Sequence, residues 1–277
     1  MLKRIITGVV AFCIMLPILF FSDTIIFPIA VAIVLAICIY EMSKCMGYEK
    51  KIYITLPIYI FSIASPFIIR YELIDFVPIM FVFIAFYLVY LFAIIVWSKG
   101  NLIFGEIMAL FATLSYIIAA ILSIMYIRFF VENGKYLYFL VFIGAWITDI
   151  FAYFTGYLFG KHKLIEAVSP KKTIEGSIGG IVFCAIGYAI FGIVVENFFN
   201  TDANIIFLVI SGVVISVVSQ VGDLIMSVIK RHYKIKDYGR IFPGHGGMLD
   251  RFDSISSVAL VLAAICMIGN LIGINLL

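Results

Sequence analysis

Long apolar runs separated by short polar segments follow one another from residue 5 to residue 275. A helix needs roughly 20 apolar residues to cross the hydrocarbon core of a bilayer. Backbone inside the core must satisfy its own hydrogen bonds, so each run is predicted to be an α-helix. We predict nine spans, at residues 5–21, 24–42, 52–69, 75–97, 103–127, 136–159, 176–195, 204–229 and 254–275.

The composition agrees with this pattern. The 277 residues are 65% hydrophobic and 13% charged, and the mean hydropathy is +1.20. These values exclude a soluble globular domain, so the predicted fold class is an all-α polytopic membrane protein with about nine transmembrane helices. Lys3 and Arg4 could open a signal peptide, but Pro17, Phe20 and the lack of a small-residue cleavage site favour a first span.

Positive charge is distributed unequally between the two sides that nine spans define. Only Arg70, Arg128 and Lys135 lie on the side opposite the amino terminus. The other sixteen of the nineteen Lys and Arg residues share the side of the amino terminus. By the positive-inside rule that side is the cytoplasm. We therefore expect an integral protein of a bacterial-type inner membrane, with a cytoplasmic amino terminus and an active site facing the cytoplasm.

The chain divides into two regions of different character. Residues 1–135, with spans 1–5, are interpreted as a transmembrane scaffold, in whose spans we single out one charge, Glu106. Residues 136–277 hold spans 6–9 and the cytoplasmic loops 160–176 and 230–253, and are predicted to be the catalytic region. The five cysteines show no metal-ligand spacing and are interpreted as packing residues.

A carboxylate lies within the sixth predicted span. Asp149 is costly at this depth, and such residues usually face a polar cavity and serve a function. Helical spacing places Ala152, Gly156 and Gly160 on the same face, where small residues permit close packing of a helix or close approach of a ligand. The alternative is a protonated or hydrogen-bonded structural aspartate.

The loop after this span carries hydroxyls and lysines ahead of the next helix. Its sequence is Ser169-Pro-Lys171-Lys172-Thr173-Ile-Glu-Gly. Cations and hydroxyls just before a helix amino terminus suit a phosphate group. An ordinary basic loop attracted to anionic lipid head groups is the alternative, and from this loop alone the two interpretations stay open.

The eighth predicted span carries a polar stripe at three- and four-residue intervals, which is one face of a helix. The stripe consists of Ser216, Gln220, Asp223, Ser227 and Lys230. Because it ends in a basic loop, we expect it to line a cavity open to the cytoplasm. A purely structural stripe that pairs with the helix of Asp149 is the alternative.

The loop between the last two spans combines cations, carboxylates and glycines. Gly246 and Gly247 let the backbone turn without a Cβ, so that N–H groups can approach an anion. Asp250 is interpreted as a metal ligand, whereas Asp253, next to Ser254, is interpreted as a helix cap. We expect Asp149, Asp223 and Asp250 at a similar depth on the cytoplasmic side.

Carboxylates and cations together suit phosphate chemistry assisted by a metal ion. Mg²⁺ is typically held by one or two carboxylates and by substrate phosphates. The sequence has no Walker-type glycine loop and no dinucleotide fingerprint. The residues by themselves indicate either cation-assisted phosphate chemistry within the membrane or transport of an anion.

The same residues carry a resemblance to a known family. The stretches Ser227-Val-Ile-Lys-Arg231, Lys236-Asp-Tyr-Gly239 and Phe242-Pro-Gly-His-Gly-Gly-Met-Leu-Asp-Arg-Phe-Asp253 resemble the motif of the phosphatidate cytidylyltransferases, also called CDP-diacylglycerol synthases. The stretch from Asp149 to Lys163 and the stretch from Ser169 to Gly176 are similar to upstream elements of that family. The specific similarity covers residues 144–253.

The resemblance implies that CTP and phosphatidate react to CDP-diacylglycerol and pyrophosphate, with Mg²⁺ required and a monovalent cation left open. It implies metal ligands at Asp223 and Asp250, with Asp149 a third acidic contributor, and places these three with Lys230 in the catalytic set. The remaining residues expected at the phosphates or hydroxyls of the substrates are Ser169, Lys171, Lys172, Thr173, Ser227, Arg231, Lys236, His245, Gly246, Gly247 and Arg251. For His245, a phosphate donor and a turn residue are equal alternatives.

Two other functions compete with this one. A CTP-dependent polyprenol or phytol kinase would move the γ-phosphate to an alcohol and leave CDP. A secondary transporter or channel would use Asp149 and Asp223 as ion sites, but repeated halves with broken helices are not visible. The expected partners are CTP, phosphatidate and the lipid bilayer, with a homodimer packed through spans four and five and no nucleic acid.

Overall fold

The computed structural model describes residues 2–166, 168–244 and 246–277, and the side chains within these ranges from Gly8 onward. About three-quarters of it is helical, 76%. The helices are α1 Leu2–Phe20, α2 Ile26–Cys45, α3 Ile52–Arg70, α4 Phe76–Trp97, α5 Phe104–Phe130, α6 Gly134–Leu137, α7 Phe139–Phe159, α8 Ile174–Phe199, α9 Ile205–His232 and α10 Leu249–Ile272. The strands are β1 Lys163–Ile165 and β2 Ser169–Thr173.

Length and composition allow eight of the described helices to cross a membrane, and α1 adds a shorter apolar segment, Gly8–Phe20. The predicted all-α polytopic fold class is therefore confirmed. Large apolar side chains such as Phe86, Trp97 and Leu271 are exposed, as expected for surfaces that face lipid. The side of the membrane on which the amino terminus lies stays a prediction.

The chain forms two compact units. The first unit comprises Met1–Leu122 and Tyr233–Arg251, and the second comprises Ser123–His232 and Phe252–Leu277. The division at residue 135 into scaffold and catalytic region concerns the roles of the two regions, and it stays a prediction.

In the first unit, α2 packs against α1 and α3, and α3 also packs against α4. The buried side chains Leu35 and Ile39 of α2 and Ile54 and Ile58 of α3 form part of its core. The hydroxyl of the buried Tyr87 in α4 donates to the carbonyl of Ile54 at 3.1 Å. The length of the apolar runs thus predicts the helices, and the bond from Tyr87 links α4 to α3.

In the second unit, α8 packs along α7 and α9, which also contact one another. Glycines allow the close approach, because a Cβ on Gly212 of α9 would lie 2.9 Å from the Cα of Ala185 in α8. The hydroxyl of Tyr188, fully buried in α8, donates to the carbonyl of Leu140 in α7 at 2.9 Å. Small residues at helix crossings are the usual basis of packing between helices in membranes.

A short antiparallel hairpin of β1 and β2 leads into α8, where the sequence predicted only a loop. Lys163 pairs with Thr173, and Ile165 pairs with Ser169. Thr173 ends the hairpin and caps α8, because its hydroxyl accepts a hydrogen bond from the backbone N–H of Gly176 at 3.1 Å. The hairpin fixes the positions of the two lysines of the loop.

We expect Gly176→Ala to destabilise the second unit by about 1–3 kcal/mol, because the added Cβ overpacks a helix crossing. That Cβ would lie 2.5 Å from the carbonyl oxygen of Ala152 and 3.2 Å from the Cα of Gly156. Both are backbone atoms and cannot swing away. The measurement is the thermal unfolding midpoint of purified protein in detergent.

Gly105→Ala is the matched control for this substitution. Gly105 is the second residue of α5, and a Cβ added to it would meet no atom of the described residues within 4 Å. Its replacement should leave the midpoint unchanged or raise it slightly, since alanine favours helix more than glycine. Equal midpoints for both variants would contradict the close crossing of α7 and α8.

The last helix begins earlier than the sequence predicted. The apolar run starts at residue 254, but α10 begins at Leu249, so that Asp250 and Asp253 are both helical. Asp253 therefore does not cap this helix, and the cap assignment is wrong. Because this first turn contains three charged residues, a hydropathy pattern does not reveal where the helix begins.

Candidate functional site

Asp253 of α10 lies within electrostatic range of two other carboxylates of the second unit, those of Asp149 of α7 and Asp223 of α9. We call these three residues the acidic cluster. The hydroxyl of Ser254 donates to Asp149 at 3.3 Å, and the backbone N–H of Ser254 donates to Asp253 at 2.9 Å. The structure thus brings together two of the three predicted acidic residues and adds Asp253, which sequence reasoning assigned to capping.

A lysine of the hairpin pairs directly with this cluster. The Nζ atom of Lys172 lies 2.5 Å from Oδ2 of Asp223, and both side chains are about one-quarter exposed, 24% and 26%. The neighbouring Lys171 is exposed. The hairpin therefore directs one of the two predicted lysines to the carboxylates.

A second cation reaches the cluster from α9. Lys230 is buried, and its ammonium group lies within electrostatic range of Asp253. A buried ammonium group requires compensating charge or hydrogen bonds. Two lysines and three carboxylates thus share this part of the second unit, and Ser227, one turn before Lys230, is half-buried.

The polar stripe of α9 serves two purposes along its length. In the amino-terminal part of the stripe, Ser216 accepts a hydrogen bond from Thr148 of α7 at 3.0 Å, and the Gln220 amide donates to the carbonyl of Ser177 in α8 at 3.3 Å. These bonds pair helices, as in the structural alternative. Only the carboxyl-terminal part of the stripe reaches the acidic cluster, to which Asp223 belongs and beside which Lys230 lies.

The small-residue face of α7 receives the start of α8. A Cβ on Gly156 would lie 2.7 Å from the Thr173 hydroxyl, and one on Gly160 would lie 2.8 Å from the Thr173 methyl group. Of the two roles that the sequence left open for these glycines, the structure supports close helix packing. Thr173 is accordingly engaged in capping and packing, while Ser169 lies half-buried in β2.

An additional pair joins α8 to the residue that precedes β1. His162 Nδ1 lies 2.7 Å from Oε1 of Glu175, and the ammonium group of Lys163 donates to the carbonyl of Pro170 at 2.7 Å. The first contact joins the start of the hairpin to α8, and the second joins β1 to β2. Neither contact involves Lys172.

The donor atoms of the acidic cluster fit a hard divalent cation, since carboxylate oxygens are the ligands that such ions prefer. Among the described residues, no group of three or more His, Cys, Asp and Glu side chains is arranged to hold a metal ion by itself. One or two carboxylates, completed by phosphate oxygens of a substrate, match this arrangement better than an all-protein cage.

In the first unit, Asp250 organises the glycine loop that precedes it. Its Oδ2 atom accepts hydrogen bonds from the backbone N–H groups of Tyr238 at 2.8 Å and of Gly247 at 2.9 Å. Asp250 is only 5% exposed. A Cβ on Gly246 would lie 2.6 Å from Asp250 Oδ2, and Gly246 also has a φ of +87°, so both the space and the backbone require glycine.

The rest of this loop is compact. The N–H of Phe242 donates to the carbonyl of Gly246 at 2.9 Å, which closes a tight turn with Gly244 at a φ of +81°. Lys236 and Arg251 are exposed in this unit, and Arg231 is exposed at the end of α9 in the other unit. The prediction for His245 lies outside the described residues.

A residue that the sequence interpretation passed over also holds this loop. Glu41 of α2 is 2% exposed and accepts hydrogen bonds from the N–H of Met248 at 3.0 Å and of Leu249 at 2.8 Å. The signal that could have found it is a glutamate inside the second apolar span, where an ionisable residue is costly and rarely accidental.

Glu106, the charge singled out in the first half, accepts a hydrogen bond from the Tyr48 hydroxyl at 2.9 Å. Burial, followed by this bond and the nearby carboxylate charge, raises the pKa of Tyr48 to about 12. Burial also raises the pKa of Tyr233, near Cys45 and Glu106. The two phenols are therefore neutral at physiological pH. We interpret Tyr48, Glu106 and Tyr233 as packing residues of the first unit.

Comparisons with known proteins bear on all of these residues. The model of the cytidylyltransferase family matches residues 2–268. A phosphatidate cytidylyltransferase of Staphylococcus haemolyticus is 43% identical over 141 residues, which are 50% of this chain and 53% of that protein. One of Staphylococcus epidermidis is 47% identical over 127 residues, 46% of this chain and 47% of the relative. These matches span about half the length of the curated relatives.

Proposed function

Because this chain belongs to the cytidylyltransferase family, we propose that it is a nucleotidyltransferase that joins CTP and phosphatidate to give CDP-diacylglycerol and pyrophosphate. The observation that carries the proposal is the acidic cluster of the second unit with its ion-paired Lys172 and buried Lys230. The matched curated relatives are named phosphatidate cytidylyltransferases. The product would be a precursor in phospholipid biosynthesis.

In this reaction a phosphate oxygen of phosphatidate attacks the α-phosphorus of CTP. A new P–O bond forms, the bond from the α-phosphorus to the oxygen that bridges to the β-phosphate breaks, and pyrophosphate leaves with that electron pair. The lipid phosphate is already a competent nucleophile, so the protein need not form a covalent intermediate. Positioning and neutralisation of charge supply most of the rate enhancement.

The two lysines of the cluster have the chemistry for this task. Lys172 is held at Asp223 by the 2.5 Å ion pair, so its ammonium group is oriented before a substrate arrives. Lys230 is buried, and a partly dehydrated cation interacts more strongly with a phosphate oxygen than an exposed one. We propose that both bind phosphate oxygens, with Ser227 and the exposed Lys171 and Arg231 as further contacts.

We propose that the divalent cation is Mg²⁺ and that Asp223 and Asp149 would hold it in the second unit. When bound, it would neutralise charge that develops on the departing pyrophosphate. Asp250 of the first unit remains a predicted metal ligand: its Oδ2 accepts two backbone N–H bonds, and a carboxylate offers a second oxygen.

We propose that the protein resides in a bacterial inner membrane with the acidic cluster on the cytoplasmic side, which the distribution of Lys and Arg supports. We also propose a homodimer that packs through α4 and α5. Support comes from α4, the described candidate span with the smallest buried share, 22%. Cross-linking of single-cysteine variants on α4 would test the dimer.

The test of the reaction uses purified protein in micelles with phosphatidate, Mg²⁺, and CTP labelled separately at the α- and γ-phosphates. The α-label should enter the lipid fraction and the γ-label should appear in pyrophosphate, and chelation should abolish both. Entry of γ-label into lipid with an alcohol acceptor would instead indicate a kinase. No transfer of either label by folded protein would contradict the enzyme assignment and make ion flux the next assay.

A further inference from the structure

Glu41 connects the apolar first half of the chain to the loop that precedes Asp250. It lies on α2 and is 207 and 208 residues distant in sequence from its two bonded partners, Met248 and Leu249. The Oε1 atom accepts from Met248 N at 3.0 Å, and Oε2 accepts from Leu249 N at 2.8 Å. Both oxygens of one carboxylate therefore bind consecutive backbone N–H groups at the start of α10.

Two glycines of the same loop lie against this carboxylate. A Cβ on Gly239 would lie 2.1 Å from Glu41 Oε1, and one on Gly247 would lie 2.2 Å from the same atom. Both distances are far below van der Waals contact. The absence of a Cβ at these two glycines thus leaves room for the Glu41 carboxylate. This role is separate from the predicted approach of backbone N–H groups to an anion.

The loop is consequently held from two directions within the first unit. Asp250 Oδ2 binds Tyr238 N and Gly247 N, while Glu41 binds Met248 N and Leu249 N. Burying a carboxylate is costly unless hydrogen bonds compensate it, and Glu41 is 2% exposed. The two N–H groups that Glu41 binds supply such hydrogen bonds to this buried carboxyl group.

We infer that Glu41 is a positioning residue, whose carboxylate clamps the loop from Gly239 to Leu249 and thereby fixes the place of Asp250. Glu41 would touch no substrate and would act through the backbone it holds. As far as it concerns catalysis, this inference rests on the proposed function. The clamp itself is a statement about the loop and can be tested without any substrate.

The first readout is limited trypsin digestion of the full-length protein in detergent. Arg240 is exposed in the clamped segment, and Lys234 and Lys236 are exposed just before it. In the other unit, Lys163 is exposed in the hairpin and Lys161 is exposed just before it. In Glu41→Ala, the N–H groups of Met248 and Leu249 lose their acceptor, so we expect cleavage after Arg240 to accelerate by about tenfold. Cleavage after Lys161 and Lys163 should not change.

The control is Glu72→Gln, which alters an exposed glutamate in the turn after α3 of the same unit and should leave both cleavage rates unchanged. The coupled variant is Gly247→Ala. Alone it should accelerate cleavage after Arg240, because its Cβ displaces the Glu41 carboxylate. Combined with Glu41→Ala it should add little, because the displaced group is gone; such non-additivity indicates direct contact.

The second readout is steady-state kinetics of Glu41→Gln, which keeps the size of the side chain but turns an NH₂ group toward a backbone N–H. We expect kcat to fall by about tenfold or more, while KM for CTP changes by less than about threefold, because misplacement of Asp250 affects the reacting arrangement. Acceleration of cleavage at all sites equally, or at none, would overturn the clamp. Cleavage that accelerates only in the loop of Glu41→Ala, without a loss of kcat in Glu41→Gln, would overturn the role of Glu41 in positioning.

The wild-type protein distinguishes failure of the proposed reaction from failure of the clamp. If it transfers no label from CTP but Glu41→Ala still shows the expected cleavage pattern, the proposed reaction fails and the clamp stands.

Discussion

Asp223→Asn is expected to reduce transfer of the α-label from CTP to lipid by at least about 100-fold, the loss typical of removing a group that stabilises developing charge. The amide has nearly the same shape as the carboxylate but lacks its charge. The substitution removes the partner of Lys172, whose Nζ lies 2.5 Å from Asp223 Oδ2, and reduces the affinity of the acidic cluster for a divalent cation. The measurement is initial-rate kinetics over a range of Mg²⁺ concentrations.

Asp202→Asn is the matched control for this variant. Asp202 is an exposed aspartate of the same unit and lies just before the amino-terminal end of α9. Its loss changes the net charge of the protein by the same amount without touching the cluster, so the rate should stay within about twofold of the wild type. An Asp223→Asn enzyme as fast as this control would contradict the proposed role of the cluster.

Asp250→Asn is expected to separate the two roles of Asp250. An asparagine carbonyl oxygen can still accept from Tyr238 N and Gly247 N, as Oδ2 of Asp250 does, so the loop should keep its resistance to trypsin. The neutral amide binds a divalent cation more weakly than a carboxylate does, and we expect the rate to fall by about 100-fold.

Asp250→Ala completes this comparison, because it removes the acceptor as well as the charge. Cleavage after Arg240 should then accelerate along with the loss of rate. A nearly active Asp250→Asn enzyme would show that Asp250 serves only the loop, and its assignment as a metal ligand would be withdrawn.

The helices could be predicted because each rests on a local pattern that a membrane enforces. Apolar runs place α3, α4 and α9 within a few residues of their observed ends. The start of α10 was missed because Leu249-Asp-Arg-Phe-Asp253 has three charges in five residues and no apolar run. What stabilises that start is Glu41, whose hydrogen bonds come from a distant part of the chain.

The site was predictable in its residue types and less so in its arrangement. An aspartate inside a span is conspicuous, and Asp149 and Asp223 do belong to one cluster. The hairpin was not predictable, since Lys163–Ile165 is too short to show alternation and β2 carries Pro170 and two lysines. Nothing in a local pattern distinguishes Lys172, which pairs with Asp223, from Lys171, which is exposed.

The hairpin that carries these two lysines has a consequence for changes of length in this segment. Side chains alternate along a strand, so a slip of β2 by one residue exchanges the side chains on its two faces. Because two lysines stand side by side at 171 and 172, a slip caused by one inserted residue in the turn would present the ammonium group of Lys171 in place of that of Lys172. The doubled lysine thus makes the ion pair with Asp223 tolerant of a one-residue insertion in the turn, whereas a one-residue deletion would bring Thr173 to that position and remove the cation.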